Sequence, residues 1–232
     1  MAKIPVAHLP ASEALAREVE LLEAMSKAPG PAQLWFWETD QALVAPWKFR
    51  TMPAFGTAKA RLEGDGWPIH LRATGGDVTP QGPGVVNVTH VYATEPGAAF
   101  SIAEAYGALT RPIVAALGPG AGVGWQPGAF CDGAYNVSLN GRKFAGTAMR
   151  FRPLKSDKTR HAVLAHALML IDAPTPTAIG AVEGFLDALG EDREIRQDAH
   201  TGLPPSLSRA AFLEALVGQF RVLDPSLELL ER

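Results

Sequence analysis

Two stretches of the chain hold residue types that could do chemistry. The first is Arg72-Ala73-Thr74-Gly75-Gly76-Asp77-Val78-Thr79-Pro80-Gln81-Gly82-Pro83-Gly84, with four glycines and two prolines. Glycine has no Cβ, so such a loop brings backbone N–H groups close to a ligand. Successive N–H groups turned one way form an anion-binding concavity. The same residues also serve as a tight connection between strands, because glycine and proline are turn formers. The second stretch is Asn140-Gly141-Arg142-Lys143-Phe144-Ala145-Gly146-Thr147-Ala148-Met149-Arg150. It sets a lysine just after a turn, at the start of a strand pattern. A fixed ammonium beside a reacting carbonyl stabilises the oxyanion where it forms. The alternative for Lys143 is a solvated strand residue after a turn, since exposure is the default for lysine.

Together the two stretches resemble the catalytic domain shared by biotin–protein ligases, lipoate–protein ligases and octanoyltransferases. The octanoyltransferase form of the loop is Gly-Gly-x-Val-Thr-x-His-Gly-Pro-Gly, and residues 75–84 follow it with Gln81 in place of His. Lys143 matches the family's essential lysine, with Gly146 and Ala148 in step. The resemblance implies a carboxylic acid activated with ATP and Mg, or an acyl thioester accepted, and an acyl group delivered to a carrier-protein lysine. It implies lipoate or octanoate as the acid, no permanent cofactor and no structural metal. The implied acceptor is a lipoyl-carrier domain of the 2-oxoacid dehydrogenase or glycine-cleavage type.

By the same resemblance, Lys143 is the catalytic residue. Arg72, Thr74, Gly75, Gly76, Asp77, Val78, Gly84, Asn136, Gly146, Thr147, Ala148 and His166 form the substrate or adenylate site. Arg72 is expected to offer a bidentate guanidinium to phosphate, and the N–H groups of Gly75 and Gly76 to face carbonyl or phosphate. His166 stands at the family's His-Gly segment, with Ala167 replacing the glycine. A histidine in an apolar strand otherwise reads as a core residue.

The departures shape the expectation. Octanoyl transfer uses a cysteine nucleophile downstream of the lysine. No cysteine follows Lys143, and Cys131 precedes it, so transfer through a cysteine is not expected. The biotin-ligase Gly-Arg-Gly-Arg-x-Gly loop is absent, which disfavours biotin. The leading expectation is an ATP-dependent lipoate-type ligase. Asp77 at a ligase glycine and Asn136 at a ligase aspartate keep two alternatives open: a binding protein with degenerate catalysis, and a cysteine-independent octanoyltransferase.

These residues need a scaffold. Helical spacing of Leu15, Val19, Leu22 and Met25 predicts a helix over 11–27, capped by Ser12. Strands are expected over 33–38 and 42–46, paired through Thr39-Asp40, with Trp35, Trp37 and Trp47 clustered as core residues or a pocket wall. A weak helix over 52–63 ends at Gly64-Asp65-Gly66. Strands over 67–71 and 85–92 flank the glycine loop. A helix from Ser101 to Leu117 presents Ile102, Ala105, Leu109, Ile113 and Leu117, with a kink or break expected at Pro112. Gly118–Gly124 lacks the Lys-Ser/Thr of a phosphate loop and reads as a connector. Asn140-Gly141 between 134–139 and 144–151 signals a hairpin. A strand over 161–172 and helices over 176–189 and 208–222 follow. The expected fold is α+β: a central, mostly antiparallel or mixed sheet flanked by helices, like the class II synthetase and biotin/lipoate ligase domain. Residues 1–232 are expected to form one catalytic domain, with the C-terminal helices packed on it.

Composition narrows the class. The 232 residues are 47% hydrophobic and 19% charged, with net charge -3, which suits a large apolar core and not a nucleic-acid partner. The single Cys131 excludes an internal disulfide and suits a reducing compartment. No apolar run reaches the roughly 20 residues of a membrane span. Met1-Ala2-Lys3-Ile4-Pro5 lacks a secretory core, so a cytoplasmic location is expected.

Overall fold

A computed structural model describes residues 3–97 and 99–231, so the start of the segment read for a secretory core, Met1-Ala2, lies outside the described residues. The elements are β1 (Ala7–His8), α1 (Ala11–Lys27), β2 (Gln33–Glu38), β3 (Ala42–Pro46), α2 (Phe55–Gly64), β4 (Ile69–Arg72), β5 (Thr79–Gln81), β6 (Val85–Ala93), α3 (Ile102–Leu117), β7 (Ala121–Val123), β8 (Val137–Leu139), β9 (Arg142–Pro153), β10 (His161–Leu170), α4 (Pro176–Ala188), α5 (Arg209–Leu223) and β11 (Glu228–Leu230). The main sheet runs β1-β2-β6-β10-β9-β8-β7, with β11 also paired to β2. Pairing is antiparallel except where β1 and β11 lie parallel to β2. A second sheet, β4-β3-β5, joins β3 parallel to β4 and antiparallel to β5. This mixed sheet flanked by helices is the expected α+β architecture.

Side chains alternate across the main sheet. Val86, Val88, Ala165, Ala167 and Met169 pack with Leu109, Ile113, Phe212, Leu216 and Phe220 of α3 and α5. On the opposite face, Trp35, Trp37, Val91 and Leu164 pack with Leu15, Leu22 and Met25 of α1. The small sheet, α2 and α4 form a third apolar cluster around Leu43, Phe49, Phe185 and Leu168. Asn87, Thr89, His166 and Leu168 therefore share the face under α1 and the small sheet.

The hairpin signal is met. Asn140 (φ 51°) and Gly141 (φ 74°) turn the chain so that Leu139 pairs with Arg142. Ser101 caps α3 by accepting from the Glu104 N–H, and Ser208 caps α5 from the Ala211 N–H. Five local expectations are corrected. Residues 33–38 and 42–46 do not pair with each other; the chain at 39–41 crosses from the main sheet to the small one. The glycine loop likewise joins two sheets, not two neighbouring strands, and contains the short β5. The 118–124 connector also holds a short edge strand, β7. Helix α1 begins after Pro10, whose side chain has no acceptor to cap the first N–H groups, and Ser12 lies inside the helix. Helix α3 runs unbroken through Pro112, which costs it one backbone bond while its buried face stays packed. Among the described residues no helix is long and apolar enough to cross a membrane.

Candidate active site

Lys143 is fully buried. The Asn-Gly turn and a register shift between Val137 and Ser138 bring its side chain back under the 129–133 loop. Its ammonium donates to the carbonyls of Phe130 and Cys131, the latter at 2.8 Å, and sits 4.7 Å from the Phe130 ring centroid. Burial pushes its pKa down to about 8, against smaller opposing contributions from Cys131 and Asp132. The exposed-lysine reading fails. An ammonium has three donors, so two of them hold this loop and one remains. A Cβ on Gly146 would lie 3.1 Å from Lys143 Nζ. The bare glycine thus leaves room for the ammonium directly behind the pocket wall that Gly146 forms.

Cys131, set aside in the sequence because it precedes the lysine, lies in that pocket. It is buried and adopts φ 46°, a left-handed conformation costly for a residue with a Cβ. The loop is over-determined around it. Cys131 O accepts from both Lys143 and Asn136 Nδ2 (2.9 Å). Phe130 N–H donates to His200 Nε2 at 3.1 Å, and His200 stacks on the Phe130 ring. His200 Nδ1 lies 3.0 Å from Arg196 O, which makes it the donor nitrogen. Burial, with Lys143 nearby, lowers the His200 pKa to about 4, so it stays a neutral acceptor. Asp77 N–H donates to Cys131 Sγ at 3.2 Å. A Cβ on Gly76 (φ 95°) would sit 3.2 Å from Sγ and 2.9 Å from Arg72 Nη2, so only glycine lets both approach.

Arg72 is buried and faces inward. Its guanidinium donates to Gly75 O, Asp77 O and Val44 O, with Thr79 Oγ1 at 3.4 Å. It braces the glycine loop rather than presenting an open fork. Asp77 pairs with Arg193 and accepts from the Val78 N–H; Val78 itself is core. Gly84 (φ 83°) carries the chain away from the loop, its carbonyl accepting from Asp172 N–H. Asn136 Oδ1 accepts from Thr147 N–H, and Thr147 Oγ1 donates to Tyr135 O.

Thr74 and His166 meet across the pocket, with Oγ1 2.9 Å from Nε2. His166 Nδ1 lies 2.9 Å from both oxygens of Glu18. Glu18 is buried and also accepts from Thr89 Oγ1 (2.7 Å) and Trp37 Nε1 (3.3 Å). Burial raises its pKa, but the His166 pair and these hydrogen bonds outweigh it and hold Glu18 below the ordinary carboxylate value. Sequence reading missed Glu18. Its signal was position: Glu18 falls in the stripe Leu15, Leu22, Met25, while Val19, placed on the apolar face, is 42% exposed.

The pocket is lined by Trp37, Arg72, Cys131, Gly146, Thr147, Ala148 and His166 among others. Lys143, Asn136, Thr74 and Gly76 support it from the next layer of contacts. Gly75, Asp77, Val78 and Gly84 shape its loop without lining it. Trp35 and Trp37 stack in the core at 6.2 Å, whereas Trp47 is exposed and separate.

The family model of the lipoyl protein ligase A/B catalytic domain matches residues 10–220, and the chain belongs to that enzyme family. An uncharacterized protein of Cupriavidus necator is 37% identical over 76% of this chain and 74% of its own length. An octanoyl-[GcvH]:protein N-octanoyltransferase of Kyrpidia tusciae is 31% identical over 76% of this chain, which spans 62% of that enzyme. A solved lipoate-protein ligase A bound with ATP superposes over 100% of this chain and 89% of its own, with TM-score 0.67 at 14% identity. The ligase of the bipartite Thermoplasma acidophilum lipoylation system gives 0.66 at 17% identity, over 100% of this chain and 87% of its own. These structures share the fold.

Proposed function

We propose that the enzyme transfers a medium-chain acyl group between carrier proteins through a thioester on Cys131. One observation carries this: Cys131, in a strained left-handed conformation, opens into the pocket beside the Lys143 ammonium. The Cys131 thiol gives up its proton as its sulfur attacks the acyl carbonyl of a donor carrier; the developing oxyanion takes the remaining Lys143 donor, and the donor's amine or thiol leaves carrying that proton. The neutral amine of a lysine on the acceptor carrier then attacks the thioester, and Cys131 departs as the thiol, taking up the proton the amine loses. Arg72, Gly75, Gly76, Asp77, Val78 and Gly84 fix the loop against Sγ. Asn136, Thr147 and His200 hold the loop that carries the cysteine. Ala148 and His166 border the acyl chain, and Thr74 holds His166 in place. The relative from Kyrpidia tusciae, named for octanoyl transfer from GcvH, supports a glycine-cleavage-type donor, with a lipoyl domain as acceptor. We read residues 3–231 as one catalytic domain, since α4 and α5 contribute to the same apolar clusters as the sheet.

The second reading is the ATP-dependent ligase, favoured by the ATP-bound neighbour of like fold. Lipoate or octanoate would be adenylated with Mg-ATP as co-substrate. It has weaker support in the side chains. Arg72 is engaged with loop carbonyls, and both polar atoms of Asn136 are engaged with Cys131 O and Thr147 N–H. The test combines purified enzyme, an apo lipoyl domain, and either octanoylated GcvH or octanoate, each with and without Mg-ATP. Intact-mass analysis follows the acyl group. ATP-independent transfer from GcvH, abolished in Cys131→Ala, is expected. Acylation from free octanoate that needs ATP and survives Cys131→Ala would establish the ligase reading instead.

A further inference from the structure

The β9–β10 hairpin is a basic surface in an acidic chain. Residues 150–160 hold Arg150, Arg152, Lys155, Lys158 and Arg160 against one carboxylate, Asp157, a net charge of +4. The whole chain is -3, so the remaining residues carry -7. Arg150, Lys155 and Lys158 are exposed, and Arg152 and Arg160 are half-buried. Among the described residues none of the five belongs to an ion pair. Asp157 accepts from the Thr159 N–H and hydroxyl instead. Arg152 and Lys155 act on Glu23 of α1 only at a distance, its hydrogen-bonded partner being Lys27 at 2.8 Å. Like charges gathered in one segment repel each other and attract an anionic surface.

The hairpin is firmly mounted. Ser26 Oγ donates to Pro153 O at 2.9 Å, Lys155 N–H to Ser26 O at 2.7 Å, and the N–H of buried Leu154 to Arg160 O at 2.9 Å. The Phe151 ring packs on Phe100 and His161, with centroids 4.3 and 5.6 Å apart. Its position ties it to the active site. Gly146 and Ala148 of β9 line the pocket, and alternation along the strand places Arg150 and Arg152 next on the same face. Arg150 Nη1 donates to Ala73 O of the glycine loop at 2.8 Å. At about 3.4 Å per residue, Arg150 and Arg152 stand about 14 and 20 Å from Gly146. A standard interface buries about 800 Å² on each partner, a disc about 16 Å in radius. A protein centred on the pocket mouth therefore meets this hairpin at its rim.

We infer that the β9–β10 hairpin is the docking platform for an acidic face of the carrier protein whose lysine receives the acyl group. This rests on the proposed delivery of an acyl group to a carrier. Rim charges set encounter rate and salt dependence, not the chemistry. The test measures octanoyl transfer from octanoylated GcvH to an apo lipoyl domain, with the wild type and with Arg152→Glu/Lys155→Glu/Lys158→Glu. At 50 mM NaCl the variant should show a KM for the lipoyl domain raised about tenfold at unchanged kcat. Wild-type kcat/KM should fall about tenfold between 50 and 500 mM NaCl, as the charges are screened, and the variant should lose little more. Single-turnover acylation of Cys131 by octanoyl N-acetylcysteamine thioester, which presents no protein surface, should be equal in both. A lipoyl-domain KM within twofold of wild type, a flat salt profile, or equal slowing with the small thioester overturns the inference. So does binding of a 20-nucleotide RNA that the variant loses while its carrier kinetics stay unchanged. If the wild type acylates no carrier, the delivery reading fails. Docking is then decided by fluorescence anisotropy of the labelled lipoyl domain: binding to the wild type that the variant loses supports it, and equal binding or none overturns it.

Discussion

Lys143→Met separates what the buried ammonium does for the fold from what it does for the reaction. Burial lowers the lysine pKa from 10.5 to about 8, which corresponds to a cost of about 3 kcal/mol for holding the charge at neutral pH. Against this stand two bonds from the charged donor to Phe130 O and Cys131 O, each contributing about 1.5–3 kcal/mol. Methionine removes the cost and the bonds together, and Cys131 O keeps its bond from Asn136. Stability should therefore fall by no more than about 3 kcal/mol at pH 7, read by urea denaturation. The fold's pH response should change as well. Between pH 8 and 10.5 the unfolded wild type binds the proton that the folded state has lost, so wild-type stability rises through that window. The variant should lack this rise. Acylation of Cys131 by an octanoyl thioester, measured in a single turnover, should fall about 10²–10³-fold, as when an oxyanion donor is removed. A folded Lys143→Met enzyme that acylates within threefold of wild type would refute the assignment of the oxyanion to Lys143.

Glu18→Ala should destabilise by about 3–5 kcal/mol in urea melts, because His166, Thr89 and Trp37 lose a buried acceptor; a loss below 1 kcal/mol would show the network to be dispensable. Gly146→Ala places a methyl 3.1 Å from Lys143 Nζ and 3.2 Å from its Cε. It should cut acylation about tenfold by displacing the ammonium, with little change in Tm; full activity would mean that Lys143 does not work at that distance. Acid should destabilise the fold as pH falls from 6.5 to 4. His90 and His200 are held neutral with folded values of about 4, so the unfolded chain takes up the protons first. The His90 contribution is on the order of 3 kcal/mol, and a urea midpoint unchanged between pH 7 and pH 4.5 would contradict it.

Local signals in the chain were enough for the helices, the hairpin and the two chemical stretches. Asn140-Gly141 sets a turn by its own dihedral preferences, Ser101 and Ser208 cap helices by reaching three residues ahead, and glycine spacing marks the loop before Arg72 and Gly76 are seen in contact. These effects act within a few residues, so they are legible in order along the chain. The fold class followed from them through the family resemblance. Which side chains meet in the pocket was not legible. His166 reaches Thr74 across 92 residues and Glu18 across 148, and their meeting depends on strand register and on how α1 crosses the sheet. Cys131 was dismissed on chain order, yet order does not constrain space once a loop folds back over a strand. Arg72 read as a phosphate fork, but the loop curls so that its carbonyls surround the guanidinium. Lys143 read as ambiguous between surface and site because a strand start is exposed in isolation. Only the packing of the 129–133 loop and the 197–201 segment over it buries the ammonium.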